Sequence, residues 1–124
     1  MKKLIILLFL VAACNADPSG NLPDPEPIQT EQLKNITIDG LNVSFETINT
    51  IPEPCWELAD YESSISNSEV VITIFGQRTT TDPCMQVVSS LEANVEITLP
   101  QNGTYTFKFF RYEGETLDTT LTVD

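Results

Sequence analysis

Beyond residue 34 the chain alternates apolar and polar residues at a period of two, and this alternation restricts the fold more than any other feature. Leu41, Val43 and Phe45 alternate with Asn42, Ser44 and Glu46, and Trp56 and Leu58 alternate with Glu57 and Ala59. A period of two sends successive side chains to opposite faces of a strand, whereas a helix needs 3.6. Val70, Ile72 and Ile74 alternate with Val71, Thr73 and Phe75. That segment is apolar on both faces and reads as a central strand. Met85–Ser89, Val95–Leu99, Tyr105–Phe110 and Leu117–Val123 read as further strands. Breaks fall at Asp39-Gly40, at the polar stretch 63–68, at Thr79–Pro83 and at Glu113-Gly114-Glu115. No segment carries helical periodicity. Seven or eight short strands without intervening helices predict an all-β, antiparallel sandwich rather than a parallel sheet.

One local motif narrows the architecture. Leu99-Pro100-Gln101-Asn102-Gly103-Thr104-Tyr105 resembles the corner that precedes a strand in immunoglobulin-like domains, where a tyrosine hydroxyl bonds back to upstream backbone. The resemblance implies a Greek-key, immunoglobulin-like sandwich. Asn102 and Gly103 would form the turn and Tyr105 would supply the bond. Phe107 stands where immunoglobulin domains carry a cysteine, so their usual inter-sheet disulfide is not expected.

Three cysteines leave one thiol unpaired in any disulfide scheme. The N-terminus resolves the count. Lys2 and Lys3 precede the apolar run Leu4–Val11, which is too short to cross a bilayer and reads as a signal peptide. The following Val11-Ala12-Ala13-Cys14 resembles the bacterial lipobox. That family acylates the cysteine and cleaves just before it, so the resemblance implies lipidation of Cys14 after removal of residues 1–13. Two or more acyl chains anchor a protein stably. The resemblance therefore places the chain in the bacterial cell envelope, in contact with membrane through its N-terminal lipid. Asn15, in place of Asp, points to the outer membrane. Cys55 and Cys84 then remain as a pair. In an exported domain they are expected to form a disulfide, which stabilises by about 3–4 kcal/mol on the chain-entropy model.

Residues 14–34 carry prolines at 18, 23, 25 and 27 and show no apolar periodicity. They read as a disordered spacer, about 60 Å long if extended as polyproline II. The expected organisation is a signal peptide over 1–13, the lipidated cysteine and spacer over 14–34, and the sandwich over 35–124.

Composition removes several chemistries. The chain has no histidine, and 18 acidic residues against 6 basic give a formal charge of −12. Loss of Lys2 and Lys3 would take the charge to −14. A histidine base or ligand is excluded, and nucleic acid is a poor partner for so acidic a surface. No Gly-x-Ser-x-Gly elbow occurs, nor any Cys-x-x-Cys or Asp-x-Asp-x-Asp-Gly loop, so no catalytic residue, metal or cofactor is expected. Glu53, Glu57, Asp60 and Glu62 are the candidates for a carboxylate-dependent glycan hydrolase, although 18 carboxylates make some such cluster inevitable. Asn35, Asn42 and Asn102 head glycosylation sequons, which a bacterial lipoprotein contains by chance.

Aromatic residues are the remaining handle. Trp56, Tyr61, Phe110 and Tyr112 could form a sugar- or protein-binding face, although Trp56 also fits a core position against the disulfide. Phe110 must point away from the side filled by Phe107 and Phe109. With Arg111 and Tyr112 it forms a candidate contact patch. The expected function is a non-catalytic binding or assembly module contacting protein or glycan at the envelope. The alternative is an inhibitor or accessory subunit acting through loop 50–55 or 76–84, with the glycan hydrolase third.

Overall fold

The computed structural model describes residues 22–124. The signal peptide 1–13, Cys14 and spacer residues 15–21 lie outside the described residues.

Seven strands follow one another in the chain: β1 (Glu26–Asp39), β2 (Asn42–Ile51), β3 (Trp56–Ser66), β4 (Glu69–Arg78), β5 (Ser89–Thr98), β6 (Gly103–Tyr112) and β7 (Glu115–Val123). No helix occurs among the described residues. One layer is β5-β2-β1 and the other is β3-β4-β6-β7. The alternation read from the sequence sets what each strand buries. Val43, Phe45, Val95 and Ile97 from one layer meet Val70, Ile72, Ile74, Phe107 and Phe109 from the other. Phe45 sits between Phe107 and Phe109, with both ring centroids 5.0 Å away. The tilted and edge-on geometries are those that aromatic quadrupoles favour.

All pairings but one are antiparallel. β4 and β6 run parallel, in the register Glu69↔Thr106 to Ile72↔Phe109. The expectation of a wholly antiparallel Greek key is corrected here. β4 folds back on β3, the chain crosses to the opposite layer as β5, and it returns as β6 in the direction of β4. Lys108 Nζ lies 3.0 Å from Glu69 Oε2 across this pair. The hydrogen bond to Glu69, and then its charge, hold the lysine above its ordinary pKa of 10.5.

The sandwich also starts earlier than its strand pattern suggests. Residues 26–34, expected to belong to the spacer, form the first part of β1. Glu26, Pro27 and Ile28 pair with β4, and from Gln29 onward the strand pairs with β2, so β1 crosses from one layer to the other. The prolines concealed this because polyproline II and β backbones are neighbours in conformation. Pro27 is tolerated because this short stretch of β1 pairs on one side only, with β4, before pairing with β2 begins at Gln29. Ile28 and Thr30 point into the core and fix the segment.

Two further expectations are corrected. β3 runs on through Ser66, leaving only Asn67-Ser68 as the turn, because an exposed edge strand accepts serines. Met85–Val88 forms no strand: pairing of β5 with β2 begins only at Ser89.

Three buried polar residues bind the first layer. Thr30 Oγ1 donates to Asn49 Oδ1 at 2.8 Å. Asn49 Nδ2 donates to Thr47 Oγ1 at 2.9 Å and to the Leu91 carbonyl at 3.0 Å. Thr47 Oγ1 donates to the Ala93 carbonyl at 3.3 Å. Both the carbonyl and the NH2 group of the Asn49 amide are thus paired, as a buried amide requires. At the corner, the Tyr105 hydroxyl donates to the Gln101 carbonyl at 2.8 Å. Gly103 has φ 153°, a backbone region that a side chain would strain.

Three substitutions test this account by thermal unfolding. Tyr105→Phe is expected to lose about 1 kcal/mol, or about 4–8 °C in Tm. Asn49→Ala is expected to lose more, about 2–4 kcal/mol, because it strands the buried Thr30 hydroxyl and leaves a void. The Lys108–Glu69 pair contributes fully below pH 10.5, and its contribution is lost as pH rises through the higher folded value. Lys108→Met should remove that part of the alkaline decline in Tm.

Candidate functional site

The crossing of β1 creates a concavity. β6 pairs with β4 only as far as Phe109, because β1 occupies the same side of β4 from Ile74 onward. The last residues of β6 are left facing β1 across a groove of about 460 Å³. Pro27 and Ile28 come from β1, Pro52 from the segment after β2, Trp56 from the start of β3, and Phe110, Arg111 and Tyr112 from the end of β6. Val88, just before β5, closes one side.

The candidate patch Phe110, Arg111 and Tyr112 therefore lies on this groove. Phe110 turns away from Phe107 and Phe109, as strand alternation requires, and the groove receives it. Tyr112 is 49% exposed. Arg111 lies beside it, 5.8 Å from the ring centroid. Its guanidinium also reaches Glu31 Oε1 at 3.1 Å, tying the two walls together. Trp56 is both core and lining: it packs against the buried cluster while lining the groove. A Cβ at Gly76 would lie 3.1 Å from both Trp56 Cε3 and Ile28 Cγ2. The absence of a side chain there lets the indole and β1 close onto β4. Trp56 Nε1 and Arg111 Nε are buried without an acceptor among the described residues.

Tyr61 is not part of the groove. Its hydroxyl donates to the Glu96 carbonyl at 3.3 Å and accepts from the Glu96 N–H at 3.1 Å. It latches β3 to β5, so the phenol joins the edges of the two layers and occupies backbone groups that an edge strand would otherwise leave open.

Cys55 and Cys84 are joined in a disulfide, with a sequence separation of 29. It ties Trp56's neighbour to the loop before β5. That loop is braced further. The Thr79 N–H donates to the Cys55 carbonyl at 2.9 Å, and Arg78 donates to the Asp82 carbonyl at 2.6 Å. Gln86 donates to Glu53 at 2.6 Å. Held in this way, the loop presents Met85 and Val88, each 70% exposed, with Val87 between them. Sequence reasoning missed this feature. The apolar run suggested a strand, whereas it is a displayed tip. The only clue was the Pro83-Cys84 pair immediately ahead of it.

The carboxylate cluster does not assemble across a cleft. Glu53 pairs with Arg78 at 3.8 Å and accepts from Gln86, while Glu57, Asp60 and Glu62 lie along β3 and do not line the groove. A second, smaller depression of about 110 Å³ holds Glu62 with Ser63, Ser64, Val71 and Thr73. Among the described residues no group of three or more Asp, Glu, Cys or His is placed to hold a metal ion.

Comparison with known proteins adds an architectural result. A family model described as the ORF11 beta-sandwich domain matches residues 47–123. The match takes in the disulfide, Trp56 and the end of β6, and begins after β1. No curated protein and no solved structure matches the chain.

Reducing the disulfide should lower stability by about 3–4 kcal/mol, measured by denaturant unfolding with and without dithiothreitol. Gly76→Ala should shift the emission of the single tryptophan and cost about 1–3 kcal/mol by overpacking.

Proposed function

We infer the function from one premise: the chain belongs to the ORF11 beta-sandwich domain family, whose description concerns architecture alone. Function is carried by sites on a fold. We propose that the chain is a lipid-anchored envelope protein that acts as a non-catalytic binding or assembly module, engaging its partner through the groove. The carrying observation is the juxtaposition of Trp56, Phe110 and Tyr112 in the groove with the exposed Val88, whose braced loop also exposes Met85 and Val87. An exposed apolar surface rimmed by polar residues is the usual mark of a contact site. Aromatic side chains seated on strands are also rigid anchors of the kind that dominate binding energy.

The anchor is the acylated Cys14, with the outer membrane as the location. Because β1 starts at Glu26, the spacer is shorter than the proline pattern suggested, about 40 Å if fully extended. That length still stands the domain off the membrane, from which its negative charge is repelled by anionic headgroups.

A second reading, an inhibitor or accessory subunit, is favoured by the bracing of loop 79–88. A held, projecting apolar tip can block a partner's site with little entropy lost on binding.

Photo-crosslinking in cells that naturally make the chain tests the module. A benzophenone side chain at Val88 should give an adduct of defined mass, and one at the exposed Thr120, on β7, should not. Absence of any adduct at Val88, or equal labelling at both positions, would sink the reading. Met85→Asp against Tyr112→Ala separates the two modes: the inhibitor needs Met85, and the groove needs Tyr112. For the anchor, Cys14→Ser should release the chain from the membrane fraction. Retention there would refute the lipid.

A further inference from the structure

We propose that the groove takes a basic polypeptide segment, one that inserts a large apolar side chain between Trp56, Tyr112 and Val88 and sets flanking Lys or Arg against the acidic rim. The inference rests on the binding-module reading and names its partner by chemistry.

Charge comes first. Every Lys and Arg among the described residues is already in an ion pair with a glutamate. Lys34 pairs with Glu92, Arg78 with Glu53, Lys108 with Glu69 and Arg111 with Glu31. Against 18 carboxylates in the chain, no described cation is left over to meet an anionic partner. The groove repeats this balance locally. Its one cation, Arg111, is held by Glu31, whereas Glu26 and Glu113 stand exposed on its rim without an ion-pair partner among the described residues. Such a surface steers cationic partners and repels anionic ones.

The lining then separates a polypeptide from a neutral sugar. Sugars stack on open aromatic faces and use exposed donors. Here one part of the indole lies over Gly76, and the two spare donors, Trp56 Nε1 and Arg111 Nε, are buried rather than displayed. The exposed side chain at the groove's edge is aliphatic, Val88, and the loop that carries it also exposes Met85 and Val87. Aliphatic tips match the side chains of a polypeptide. A volume of about 460 Å³ holds one or two large side chains with a short stretch of backbone.

The test pans the immobilised full-length chain against a random dodecapeptide library and, in parallel, against an array of neutral oligosaccharides. Trp56 emission reports occupancy, because it is the only tryptophan. The expected result is enrichment of peptides with net positive charge and at least one large apolar residue. Their binding should weaken about tenfold or more in Tyr112→Ala and in Val88→Asp. It should weaken several-fold in Glu113→Lys, and again between 0.05 and 0.5 M NaCl, as screened charges require. These substitutions fall on surface positions, and unchanged unfolding curves check that the fold survives. Enriched peptides that lack positive charge, or that ignore Val88→Asp, overturn the proposal. Oligosaccharide binding without peptide enrichment overturns it while leaving the binding module standing. Silence in both arms overturns both.

Discussion

The buried amide of Asn49 constrains the molecule more than its place in a mostly apolar core suggests. A side-chain amide removed from water is tolerable only when all its hydrogen-bonding groups are used. Here they are used by Thr30 of β1, Thr47 of β2 and the Leu91 carbonyl of β5. The network therefore specifies which residue of β1 lies beside β2. Two residues earlier, Ile28 is paired with Ile74 in the opposite layer. A slip of one residue would expose Ile28 and leave Asn49 Oδ1 without its donor, Thr30, so the crossing of β1 is fixed from both sides.

The groove follows from that crossing. β4 offers one side to two strands in succession, β6 up to Phe109 and β1 from Ile74 onward. The end of β6 must therefore part from β4. Phe110 and Tyr112 would lie over a continuous sheet in a simple sandwich, but here they line an open concavity. The disulfide and the Gln86–Glu53 bond then bring Val88 to its edge. The groove is thus made by strand competition and framed by a covalent staple, without a dedicated loop insertion.

The sequence was most readable where one strand face is fully buried. Val43 and Phe45, Val70 to Ile74, and Phe107 to Phe109 follow the alternation, because a half-buried strand admits little else at those positions. The corner was readable because its bond is local, from Tyr105 to Gln101 four residues away. Reading failed where the cause is distant. Residues 26–34 look like a proline-rich spacer until Ile74 and Asn49 capture them. Met85–Val88 looks like a strand until β2 runs out of partners at Ile51↔Ser89. Of the site, Phe110 could be named from strand parity, with Arg111 and Tyr112 as its neighbours, but the wall they face could not.

By itself, then, the sequence determined the all-β class, the Tyr105 corner and the acidic surface, because periodicity, local turns and charge are properties of short segments or of sums. Only the tertiary structure decided the parallel pairing of β4 with β6, the capture of β1 and the groove between them. These depend on which strands reach the same edge of β4, a competition between segments far apart in the chain, which no local pattern encodes.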